Sequence, residues 1–193
     1  MNKKQNKKNE IIKQAFQLIE KNGWKRFSIR KLSEEKKIEL KNLEFLFNNK
    51  LDIIKDFSKM IDEEVVSEID IEEFKNNSVK DNLFELVMLR FEKLEPYKKC
   101  LSNLVQEIKF EHRELQSILF SLIKSFDLFI TISNGKSKDV YDFLKAPILF
   151  FIYFKSFQVW LNDSSKEMSS TMAEVDKWLS KSENLVEKLK SFI

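Results

Sequence analysis

Apolar positions recur at three- and four-residue spacing along most of the chain, which is the signature of helices with one buried face. Ile11, Ile12, Ala15, Phe16 and Ile19 mark a first helix over about residues 9–22, and Gly23 supplies a left-handed stop. Ser28 is placed to cap a second helix over 28–36 that carries Ile29 and Leu32 inward. A third over 39–46 buries Leu40, Leu43 and Phe47. Three helices this short, packed at steep angles, frame a helix-turn-helix module. A fourth helix follows Asn48-Asn49 with Leu51, Ile54, Phe57, Ile61 and Val65 in one stripe.

Residues 68–78 read as a linker, and Ser78 then caps a fifth helix. Pro96 predicts a break before a sixth helix over 97–109. A seventh spans 111–133 and ends at Asn134-Gly135, a C-cap pair. An eighth spans 137–161, with Pro147 expected to kink or split it, and a ninth spans 166–191. The predicted fold is therefore all-α, with about nine helices. A helix-turn-helix domain with a basic arm occupies 1–50, and a larger helical bundle for ligand binding and dimerisation occupies 51–193.

Composition narrows this further. Two Gly and two Pro in 193 residues leave little material for the turns of a β-rich fold. The single cysteine, Cys100, and single histidine, His112, provide neither a disulfide nor a metal cluster, so no metal or cofactor is expected. There is no Gly-rich phosphate loop and no base beside a nucleophile, so the chain reads as not an enzyme. The apolar run 146–154 ends at Lys155 after nine residues, too short for a bilayer span. A cytoplasmic protein with no membrane span is expected.

Charge is divided unevenly. Residues 1–60 hold sixteen Lys and Arg against eight Asp and Glu, a net of +8, and the rest of the chain nets −5. A basic module joined to an acidic remainder suits a polyanionic partner.

On Ala15-Phe16, Gly23-Trp24, Phe27-Ser28-Ile29-Arg30, Leu32, Ile38, Leu43, Phe47, Lys50 and Ile53-Ile54, the first part of the chain resembles TetR-family transcriptional regulators. The resemblance implies a TetR-like fold and a repressor released from double-stranded DNA by a small apolar ligand. It also implies a homodimer. It places Lys41 and Asn42 at base edges, and Ser28 and Lys50 at phosphates; Arg30 and Lys31 lie close enough to reach backbone. An apolar pocket is expected from Phe120, Phe126, Phe129, Phe150 and Phe154. A dimer interface is expected from Phe157, Trp160, Val175 and Trp178.

Two departures stand out. Lys37 occupies the turn position that the family gives to Gly; if that turn needs positive φ, lysine there costs about 1 kcal/mol. Glu44 stands where the family places a phosphate-contacting tyrosine, and Glu39 adds a second acid. The phrase Arg90-Phe91-Glu92-Lys93-Leu94-Glu95-Pro96-Tyr97 resembles a second group with this fold, a lipid-binding accessory protein of ubiquinone biosynthesis. That resemblance implies lipid or isoprenoid binding without specific DNA recognition.

Overall fold

The computed structural model describes residues 3–108, 112–136 and 142–190. Among them the chain is helical, with no strand. The helices are α1 (Lys3–Asn22), α2 (Ile29–Lys36), α3 (Leu40–Leu46), α4 (Lys50–Val66), α5 (Ile71–Asn76), α6 (Val79–Leu94), α7 (Lys98–Ile108), α8 (His112–Ile132), α9 (Asp142–Trp160) and α10 (Ser169–Lys190). A 3-10 turn, Glu95–Tyr97, carries Pro96 between α6 and α7. The expected helix starts at 111 and 137 and the expected end at 191 lie outside the described residues. The chain divides into two compact units, residues 1–63 with 94–121 and residues 64–93 with 122–193.

In the first unit, α1 presents Ile12, Ala15, Phe16 and Ile19 to the core. Phe16 stacks on Phe57 of α4 at 3.8 Å between ring centroids, and Tyr97 meets Phe57 edge-on at 4.8 Å. The polar run expected as an arm is helical from Lys3, and Lys8 pairs with Asp56 of α4 at 2.7 Å. Lysine and glutamine are good helix formers, so that composition is compatible with either state. Gly23 adopts φ +81°, and a Cβ there would come within 2.8 Å of Glu107 Oε1. Glu107, from α7, accepts the Lys25 backbone N–H at 2.8 Å; the positive φ favours glycine at position 23, and a side chain there would have to push the Glu107 carboxylate aside.

Ser28 caps α2 by accepting the Lys31 N–H at 3.2 Å. The α2–α3 turn requires the left-handed conformation, and Lys37 adopts it at φ 53°, ψ 40°. Its neighbour Ile38 donates to Ser33 O, and Ser33 Oγ donates back to Ile38 O at 2.6 Å. These bonds hold a lysine in a region its Cβ disfavours.

In the second unit, the expected linker contains α5. Asp70 caps it, accepting the Glu72 N–H at 2.9 Å, and Phe74 is buried. Asn82, fully enclosed on α6, donates to Phe74 O at 2.7 Å and holds that helix in place. Asn134, not Gly135, takes the left-handed position after α8, while Gly135 N donates to Ile130 O. Helix α9 continues through Pro147.

Asp163 fastens the α9–α10 turn. It accepts Ser165 N and Oγ on one oxygen, and Thr171 N and Oγ1 on the other, at 2.6–3.0 Å. These bonds, with Ser165 Oγ accepting Ser169 N, satisfy amides that the first turn of α10 leaves open. The hydrogen bond from Ser165, followed by those from Thr171, holds the Asp163 carboxyl well below its usual range.

Two outcomes follow from these turns. Lys37→Gly removes the left-handed penalty and gains about 0.5–1 kcal/mol, a rise of a few degrees in melting temperature; an unchanged or lower melt contradicts this. Asp163→Asn costs about 2 kcal/mol at neutral pH. Because the folded carboxyl titrates below its unfolded value, its stabilisation is present above about pH 4 and fades as pH falls below that. The gap between wild type and Asp163→Asn in chemical denaturation should therefore narrow in acid; a constant gap contradicts the assignment.

Candidate functional site

The expected reading head keeps its frame. Leu32, Leu43 and Phe47 are buried, so the polar sides of α2 and α3 remain outward. Arg30, Lys31, Lys41 and Asn42 are exposed and Ser28 is half-buried. Their chemistry is less open than the pattern implies. Asn42 Nδ2 donates to Glu39 Oε2 at 3.3 Å, engaging the amide that adenine readout would use. Lys50 Nζ lies 4.2 Å from the Trp24 ring centroid, a cation–π contact that draws the ammonium onto the indole. Glu39 and Glu44 are both exposed on the α3 segment.

Two side chains at this face escaped the sequence reading. Phe45 on α3 is 80% exposed, and Lys4 Nζ lies 5.4 Å from its ring centroid. Lys4, Gln5, Lys8, Phe45 and Leu46 line a hollow of about 410 Å³. The available signal was that Lys41 and Phe45 are four residues apart, hence on one helix face.

Of the five phenylalanines expected to line a ligand pocket, four touch in a chain, Phe129–Phe126–Phe150–Phe154, at 5.8, 6.1 and 6.2 Å between ring centroids. Phe126 and Phe129 are fully enclosed and meet edge-on at 5.8 Å, and Phe126 packs against Tyr153 at 4.9 Å. Phe150 is half-buried, while Phe120 and Phe154 are exposed. Beside them, Arg90 is buried with its guanidinium over the Phe126 and Tyr153 rings. Burial pushes the Tyr153 hydroxyl above its usual range, and the nearby Arg90 charge and hydrogen bond oppose that shift.

A different set of residues forms the groove of the second unit. Leu83, Ile130, Ile148, Leu149, Ile152 and Leu179 give a largely apolar lining around about 380 Å³. Lys80, Asn134, Lys145, Ser182 and Glu183 add polar groups. Both lysines are held by carboxylates: Lys80 by Asp176 at 2.9 Å and Lys145 by Asp142 at 2.6 Å. The hydrogen bond to Asp176 is the main reason the Lys80 ammonium titrates above its usual value. Apolar sequence patterning marked these aliphatic residues only as core, because it does not show where a core is left open.

Of the four residues expected at a dimer interface, Trp160 and Val175 are fully enclosed within the second unit. Trp160 stacks against Phe91 at 5.5 Å, so these two side chains form protomer core. Phe157 is half-buried beside Trp160 at 5.3 Å. Trp178 is half-buried, donates Nε1 to Glu174 at 2.6 Å and meets Phe151 edge-on. The exposed apolar stripe on α9 instead carries Phe143, Phe151 and Phe154.

Cys100 is enclosed 3.4 Å from Phe16 O, and burial pushes its thiol up to about 12, which suits packing and not nucleophilic chemistry. Among the described residues no cluster of three metal-ligating side chains occurs. The Leu115–Ile132 window of α8 is long and apolar enough to cross a membrane by length and composition, and 17% of it is buried. It is twice the length of the nine-residue run 146–154.

The COQ9 family model matches residues 115–186, less than half of the chain. No curated protein matches it in sequence. Among solved structures, the chain is similar to the TetR transcriptional regulator from Nitrosomonas europaea ATCC 19718, with TM-score 0.73 and 14% identity. That similarity covers 91% of this chain and 97% of the other. A TetR/AcrR-family regulator from Thermobifida fusca YX-ER1 gives 13% identity over 90% and 96% of the two chains, with TM-score 0.47. With its all-helical architecture and near-complete overlap with the Nitrosomonas regulator, the chain has the TetR-like fold.

Proposed function

We propose that this protein is a lipid-binding accessory protein on a TetR-like fold, of the ubiquinone-biosynthesis type, and takes an apolar chain into the groove of its second unit. One observation carries the reading: the COQ9-matched span, 115–186, covers α9 and most of α8 and α10, which supply Ile130, Ile148, Leu149, Ile152 and Leu179 to that groove. Concave, mainly apolar sites with a few polar groups are the usual form of small-molecule pockets. Asn134 lines the same groove as a polar group for a head, as does Lys145, whose ammonium is bonded to Asp142 and to Gly135 O, while the aliphatic floor takes the tail. The engaged Asn42 amide and the acids at α3 support the same choice over operator readout. The reading assigns no catalytic step.

A second reading, a DNA-binding repressor, is supported by the intact Ser28 cap and by exposed Arg30, Lys31 and Lys41 on a module with net charge +8. Both readings share an apolar ligand and a homodimer. For the dimer, the supporting feature is the α9 stripe of Phe143, Phe151 and Phe154, with Met172 also exposed on α10. Exposed apolar patches of this kind mark association surfaces.

Two measurements test these assignments. Farnesol, used as a soluble isoprenoid probe, should bind the vesicle-free protein, and Ile148→Trp should weaken it about tenfold or more by filling the groove. Equal binding to folded Ile148→Trp removes the groove from the account. Light scattering at micromolar concentration should give a dimer that Phe151→Glu converts to a monomer; a monomeric wild type contradicts the dimer.

A further inference from the structure

A lipid-binding reading leaves the +8 module without a role, and the surface chemistry of that module supplies one. Phe45 is the most exposed large apolar side chain among the described residues. A single exposed apolar side chain is ordinary; Phe45 is distinguished by its setting. The Lys4 ammonium lies 5.4 Å from the ring, and Lys41, also exposed, precedes Phe45 by one helical turn. Leu43 is buried on the other side of the same short helix and Phe47 is buried just past its end, so Phe45 is left outward.

We infer that this face of α1 and α3 is a docking surface for an anionic lipid bilayer, with Phe45 entering the interface and Lys4 and Lys41 meeting headgroup charge. Aromatic rings flanked by lysines suit the bilayer interface, where the ring leaves water and each ammonium stays with the headgroups. The alternative polyanion, duplex DNA, meets an exposed Phe at a thymine methyl or takes it as a wedge between base steps, and the wedge costs base unstacking that a bilayer interface does not demand. DNA readout also requires residue-level fit, which Glu39, Glu44 and the engaged Asn42 amide oppose. A membrane surface potential acts on the summed charge of the module, so two local acids are tolerated there. The inference goes beyond the groove reading and gives a lipid carrier access to its source.

Vesicle co-sedimentation with the full-length protein tests it. Phosphatidylcholine vesicles are compared with vesicles containing about one-quarter phosphatidylglycerol. The protein should bind the anionic vesicles, fail to bind the neutral ones, and dissociate as salt rises. Phe45→Ser should weaken binding about fivefold or more, and Lys4→Glu with Lys41→Glu about tenfold or more. Phe120→Ser, at an exposed position on α8, should bind as wild type does. Phe45 and Lys41 are exposed, so unchanged melting temperatures are expected and separate lost docking from lost folding. Loss in Phe120→Ser with full retention in Phe45→Ser overturns the inference by moving the docking face to α8. Random duplex DNA that displaces the vesicles and is itself weakened equally by Phe45→Ser also overturns it, in favour of nucleic acid. Farnesol binding without vesicles is a separate readout, so failure of the groove and failure of the docking face are distinguishable.

Discussion

The N-terminal unit depends on the stacking of Phe16 against Phe57, closed by the edge of Tyr97. Helices α2 and α3, at eight and seven residues, are shorter than a helix needs to persist alone in water. They stand because Leu32, Leu43 and Phe47 bury into a core that α1, α4 and the Tyr97 turn have already assembled. Everything the exposed side of the module presents is fixed by that burial. The strained Lys37 turn is tolerated for the same reason: packing on both sides over-determines it.

The same core determines which charges can act. Lys8 is held by Asp56, Lys50 lies over Trp24 and Asn42 is bonded to Glu39. A net charge of +8 therefore does not translate into a row of groups poised for bases. It gives a diffuse positive field with an aromatic ring in its midst. The second unit works in the opposite sense: its carboxylates pin the lysines at the groove, and the apolar lining there is aliphatic. The division of charge seen along the sequence is thus a division of labour between an electrostatic surface and an apolar one.

Much of the fold was legible because its signals are local. The Ser28 cap and the Asn134-Gly135 stop follow from side-chain or backbone chemistry within a few residues, whereas the positive φ at Lys37 was implied only by the glycine that TetR-family regulators carry at that turn. The short helix α5 was missed because its six residues give too little periodicity, and its stability comes from burying Phe74 and from Asn82 on another helix. The helical start at Lys3 was missed because polar composition does not separate an arm from an exposed helix. The candidate sites were less legible still. Apolarity predicts burial but not the partner, so Trp160 and Val175 were assigned to an interface although they fill the protomer core. The groove was missed because its leucines and isoleucines look like any other core stripe.

The central claim is that this TetR-like fold serves lipid binding and not operator readout. The most direct test is selection from a random duplex pool, followed by titration of the winning and random sequences over a range of salt. The account predicts no winner: weak affinity, equal for all sequences, falling steeply with salt as counterion release requires. A sequence preference of about a thousandfold or more at physiological salt, weakened by Lys41→Ala, would contradict it and return the protein to the repressors.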